Sequence, residues 1–79
     1  MPDLLEGFRE YKNADEEALL MRFRARARLG RIVTRRYAEG DSLEDMGKAL
    51  GKTAEQVRRY RQAYRDWLRE HSEESLDQG

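Results

Sequence analysis

The chain has 79 residues, 16 Lys+Arg against 16 Asp+Glu for a formal net charge of zero, one histidine and no cysteine. That is one domain near the lower size limit for independent folding, without disulfides, thiolate zinc ligands or cysteine nucleophiles, in keeping with a reducing cytoplasm. No apolar run approaches the roughly 18 residues of a membrane span and no secretion leader opens the sequence, so a soluble, cytoplasmic protein is expected. A core this small rarely contributes more than about 3 to 5 kcal/mol net, which makes self-association or docking on a larger partner an expectation too.

Residues 1–12 scatter Leu4, Leu5, Phe8 and Tyr11 around Gly7, a pattern for a short helix or a tail that orders on a partner. Asn13 followed by Glu16 resembles a capping box that would open the next helix. Leu19, Leu20, Phe23, Ala27, Val33, Tyr37 and Ala38 then recur at helical spacing up to a stop at Gly40. Residues 21–29 also alternate apolar residues with arginine, which admits a strand. Helix is favoured, because Ala, Leu, Arg and Met are good helix formers and no hairpin partner follows. Gly30 is expected to kink or split this segment.

Asp41 or Ser42 can cap a short helix whose apolar residues Leu43, Met46, Gly47 and Leu50 share one face, with Gly51 as its stop. Thr53 and Gln56 form a second capping box. The helix they open carries an apolar stripe of Val57, Tyr60, Tyr64, Trp67 and Leu68, runs Arg58, Arg61, Arg65 and Arg69 along another side, and is predicted to persist to about His71. Val57, Tyr60, Tyr64, Trp67 and His71 also approximate a heptad seam that could pair two subunits; packing on the chain's own helices is the preferred use. Residues 72–79, acidic and polar, are predicted to be a disordered tail. The domain organisation expected is thus an N-terminal segment (1–12), a helical domain (13–71) and the tail: an all-α small bundle of about three to four helices.

The neutral average conceals segregated charge. Residues 21–38 hold seven arginines and no acid, and residues 56–69 hold five arginines against Asp66, while residues 1–20 have six acids and two bases and residues 70–79 have four acids. A polyanion senses the local block within a Debye length of about 8 Å, so a neutral chain can present a basic face. Arginine, which supplies 13 of the 16 bases, suits bidentate contacts to phosphate or guanine.

A short helix, a glycine turn and a capped longer helix make a helix-turn-helix unit. Gly47 is the small residue wanted where the second helix crosses, Gly51 supplies the turn, and Val57 and Tyr60 face Met46 and Leu50. Such a unit places its second helix in the DNA major groove. The outward positions predicted to read bases are Thr53, Glu55, Arg58, Arg59 and Gln62, with Arg58 or Arg59 paired to guanine and Glu55 either accepting from cytosine or orienting an arginine. Arg31, Arg35, Arg36, Lys48 and Lys52 are the predicted phosphate contacts.

Residues 31–71 resemble region 4 of bacterial sigma factors. The run S-L-E-D-M-G-K-A-L-G-K-T-A-E-Q-V-R-R-Y-R is similar to that family's T-L-E-E-V-G, turn, T-R-E-R-I-R-Q-I-E pattern at Leu43, Glu44, Gly47, Thr53, Glu55, Val57 and Arg58, and Leu68 fits the Leu-Arg ending. The resemblance implies a helix over Thr53 to Arg59 that binds the promoter −35 element, and docking on the flap of the RNA polymerase β subunit. Ala54, Arg59 and Arg61 stand where the family has Arg, Gln and Glu, so its usual −35 preference is not carried over. Nothing resembles the segment that melts the −10 element, so a separate region-4-like piece is expected rather than a complete sigma factor.

The function expected is a sequence-specific DNA-binding transcription regulator, acting on double-stranded DNA as a homodimer or attached to RNA polymerase. The alternative is a protein interaction module that keeps this fold and binds polymerase, a sigma factor or another regulator, since the acidic blocks repel phosphate. Catalysis is not expected: His71 is alone, the acids sit in helix first turns, and no cofactor or metal motif is present.

Overall fold

A computed structural model describes residues 1–14 and 19–77. The expected all-α bundle is what forms: four helices, α1 (Pro2–Asn13), α2 (Leu19–Ala38), α3 (Leu43–Leu50) and α4 (Ala54–Glu70), followed by a 3-10 helix at Glu73–Asp77. Among the described residues no helix is long and apolar enough to cross a membrane.

Every helix contributes to the main core. Leu4 comes from α1, Leu29 and Val33 from α2, Met46 and Leu50 from α3, and Val57 and Tyr60 from α4. The central element is α2, which packs on all the others. Its buried residues, Ala25, Ala27, Leu29, Gly30 and Val33, spread around a wide arc, so this helix is sandwiched rather than laid on a surface.

That position explains Gly30. The helix neither kinks nor splits there; it runs unbroken from Leu19 to Ala38. A Cβ at Gly30 would come within 1.9 Å of the Tyr60 carbonyl oxygen, so the missing side chain lets α2 and α4 cross backbone to backbone. The expected apolar face of α2 is also shifted. Leu19 and Leu20 are 76% and 60% exposed and Tyr37 is 52% exposed, because α4 and α1 cover the helix further along its length.

At the N-terminus, α1 is an ordered helix with Leu4 fully buried. Asn13 is its last residue; the expected capping box of Asn13 with Glu16 falls on residues outside those described. The other end departs further from expectation. Residues 73–77 coil into the 3-10 helix, and Leu76 is fully buried with Ala27 and Trp67 in a second core cluster. Trp67 donates its indole N–H to Ser75 Oγ at 2.9 Å, meets Phe23 edge-on at 5.1 Å between centroids and stacks on His71 at 4.0 Å. The Tyr64 hydroxyl donates to Glu73; burial first, then that bond, pushes the phenol up to about 12. A heptad seam is therefore not left open: Val57 and Tyr60 sit in the main core and Trp67 in the second, while Leu68 is turned out at 40% exposure.

Candidate nucleic-acid interface

The ends of α3 and the start of α4, which frame the candidate interface, are set by local chemistry. Ser42, rather than Asp41, caps α3, its Oγ accepting from the Asp45 N–H at 3.0 Å. The helix stops at Gly51, whose φ of 69° lies in the left-handed region that glycine enters without strain. Its N–H donates to the Gly47 and Lys48 carbonyls, and the Lys52 N–H also reaches the Gly47 oxygen, at 2.8 Å. The chain folds back so tightly that a Cβ on Gly47 would lie 2.5 Å from the Lys52 oxygen. Thr53 then opens α4 through the full capping box: its Oγ1 accepts from the Gln56 N–H at 3.2 Å and its own N–H donates to Gln56 Oε1 at 3.1 Å.

With Val57, Tyr60, Ala63 and Trp67 facing inward, the 3.6-residue period turns Arg58, Gln62, Arg65 and Arg69 outward. The side chains of Arg58 and Arg59 are 60% and 67% exposed. The Glu55 carboxylate lies 3.0 Å from Arg58 and 3.8 Å from Arg59. Gln62 donates to Asp66 at 3.0 Å. The guanidinium of Arg61 rests over the Tyr37 ring at 4.9 Å. Glu55, Arg58, Arg59, Arg61, Gln62 and Arg65 together edge a shallow basin of about 280 Å³ on the outer side of α4. Of the five residues expected to read bases, Glu55, Arg58, Arg59 and Gln62 are thus brought together on one exposed face, while the Thr53 hydroxyl is engaged by the cap. Arg61 and Arg65 complete the face; their spacing from Arg58, three and seven residues on, was the available signal.

The expected phosphate contacts divide. Arg35 and Lys48 are exposed and Lys52 is half-buried in the turn. Arg31 and Arg36 are instead paired within the fold, each to a carboxylate from near one end of the chain and Arg36 also to Asp41. The Arg31 side chain is 19% exposed and holds Asp77 through two hydrogen bonds, at 2.8 and 3.2 Å, with Glu73 3.8 Å away. The Arg36 side chain, 21% exposed, binds Asp3 and, at 3.0 Å, Asp41. These bonds hold the Asp77 and Asp3 carboxyls below the usual carboxylate value and push both guanidinium groups up.

Among the described residues no cluster of three or more His, Cys, Asp or Glu could hold a metal ion. No protein-family model, curated protein or solved structure matches the chain.

Proposed function

We propose that this chain is a helix-turn-helix protein that binds duplex DNA and regulates transcription in the cytoplasm, with α4 as the helix that enters the major groove. The observation that carries this reading is the outer face of α4, where Arg58, Arg59, Arg61 and Arg65 gather around Gln62 with Glu55 as the one acid edging the same basin. Arginine forks match guanine O6 and N7 and phosphate oxygens, and an amide matches adenine. Helix α4 is 17 residues long, about 26 Å at the standard rise, enough to lie along a groove about 12 Å wide. The resemblance to sigma region 4 supports the same use of the helix and adds association with RNA polymerase.

The test is the salt dependence of binding between the full chain and a duplex, read by fluorescence anisotropy. Contact with about four to six phosphates gives a log-log slope near −4 to −5. Negligible duplex binding at about 100 mM salt, together with stable capture of a polymerase subunit, would overturn the DNA reading and leave the protein interaction module. One feature favours that second reading: Leu19, Leu20 and Met21 form a consecutive exposed apolar ledge at 76%, 60% and 55% exposure, a surface of the kind proteins use to meet other proteins.

A further inference from the structure

Beside the α4 face, a cleft of about 310 Å³ opens between α1, α2 and the start of α4. Its composition is one-sided. Lys12 from α1, Arg22 and Arg26 from α2, Lys52 from the turn and Arg59 from α4 bring five cations to its lining, and no carboxylate of the described residues lines it. Four of these cations lie over aromatic rings, which do not neutralise them: the Lys12 and Lys52 ammonium groups are each 5.7 Å from the Phe8 centroid, the Arg22 guanidinium 4.8 Å from that of Tyr11 and the Arg26 guanidinium 5.9 Å from that of Tyr60.

Lys12, Arg26 and Lys52 make no ion pair among the described residues, and Arg59 has Glu55 only at 3.8 Å. Arg26 also keeps its Nε out of solvent with no hydrogen-bond acceptor, whereas buried donors are almost always satisfied. Cations converging from four elements raise the local potential and suit an anion with several acceptor oxygens around one centre, which is the geometry of phosphate. The cleft is continuous with the outer face of α4, because Arg59 lines both.

We propose that this cleft is a phosphate-binding site, in which Lys12, Arg26, Lys52 and Arg59 hold the anion, and that it receives a backbone phosphate of the strand passing α4. The first part stands on the cleft alone; the second rests on the DNA reading above. The site makes α1, an element outside the helix-turn-helix unit, part of the interface.

Two measurements on the full chain separate the sources of phosphate. Calorimetric titration with sodium tripolyphosphate should show binding that the double variant Lys12→Gln, Arg26→Gln weakens by about tenfold or more. Arg9→Gln, which removes one positive charge from α1 away from the cleft, should change it by less than about twofold. In the second arm, the double variant should lower the magnitude of the salt slope for duplex binding by about one for each phosphate that is no longer neutralised. A changed slope assigns the phosphate to the duplex. Tripolyphosphate binding abolished with the slope unchanged keeps the site and assigns it a free phosphate-bearing anion. Wild-type behaviour of the double variant in both arms overturns the site and leaves the DNA reading intact. A wild-type chain that binds no duplex removes the DNA reading, and the tripolyphosphate arm then decides the cleft by itself. Circular dichroism melts confirm folding; if the double variant is unfolded, the exposed single change Lys12→Gln carries both arms.

Discussion

Three arginines of α2 and the outer arginines of α4 are held in opposite ways. On α2, Arg28 donates to the Leu76 carbonyl and lies 3.8 Å from Glu10, Arg31 grips Asp77, and Arg36 grips Asp3 and Asp41. On α4, Arg58 and Arg59 find among the described residues the Glu55 carboxylate alone, one turn back on the same helix, and Arg61 rests on a ring. Placement is the cause. Helix α2 is surrounded, so residues 33 to 48 positions away in sequence are folded onto its arginines. Helix α4 packs along one side only, and its outer arginines meet solvent. Arginine density therefore does not by itself tell which arginines stay open to solvent; the origin of each arginine's carboxylate does. Acids brought by the fold turn an arginine into a clamp, whereas an acid one turn away merely orients it.

The most severe way to break this arrangement is at the crossing that makes α2 central. Gly30→Ala would push a methyl carbon to within 1.9 Å of the Tyr60 oxygen, and backbone cannot yield as a flexible side chain does. Overpacking typically costs about 1 to 3 kcal/mol and more where backbones must separate. Against a total of at most about 3 to 5 kcal/mol, a cost at or beyond the top of that range leaves little stability, so the variant should melt far below the wild-type temperature by circular dichroism. A wild-type melt would mean that the helices do not cross there. Leu76→Ala comes next. Emptying a fully buried leucine site costs about 2 to 5 kcal/mol, lowers the melting temperature and shifts Trp67 emission to the red as the C-terminal 3-10 helix detaches. It also frees Arg28 and Arg31, so any gain in duplex affinity below the melting point would show that clamping alone keeps these side chains from an anion.

These two sites mark the limit of what the sequence makes legible. Ser42, Gly51, Thr53 and Gln56 act on neighbours within a few residues, so α3, the turn and the start of α4 could be read locally, and the outer face of α4 followed from helical period. Gly30 reads as a helix breaker because its partner, Tyr60, lies far along the chain. Leu76 reads as part of a polar tail because one buried leucine among acids carries no periodicity. Arg31 and Arg36 read as phosphate contacts because Asp77 and Asp3, at opposite ends of the chain, give no local sign of reaching α2.

A paired substitution sharpens the contrast. Arg58→Ala should cost about 1 to 3 kcal/mol in duplex affinity at the preferred sequence, relax that preference and leave the melting temperature nearly unchanged. Arg31→Ala should do the reverse, lowering the melting temperature while affinity stays within about twofold. Equal losses of affinity in the two variants would erase the distinction between reader and clamp.

The smallest effect expected is a dependence on pH set by the clamps. Arg36 holds the Asp3 carboxyl, and Arg31 the Asp77 carboxyl, below the ordinary value of 3.8. In the unfolded chain both return to that value, so as pH falls through about 4 the unfolded state takes up protons first. The stability these pairs contribute is thus fully present above about pH 5 and lost progressively as pH drops toward the depressed folded values. The wild-type melting temperature should be flat from pH 7 to about 5 and fall below about 4. The double variant Asp3→Asn, Asp77→Asn should start lower at pH 7 and decline less steeply between pH 5 and 3, since neither amide titrates. Because both carboxylates are largely exposed, salt should shrink the difference as well. Parallel curves for the two proteins would show that the acids at the chain termini neutralise α2 without holding it, and the clamps would then be no tighter than the exposed pairs on α4.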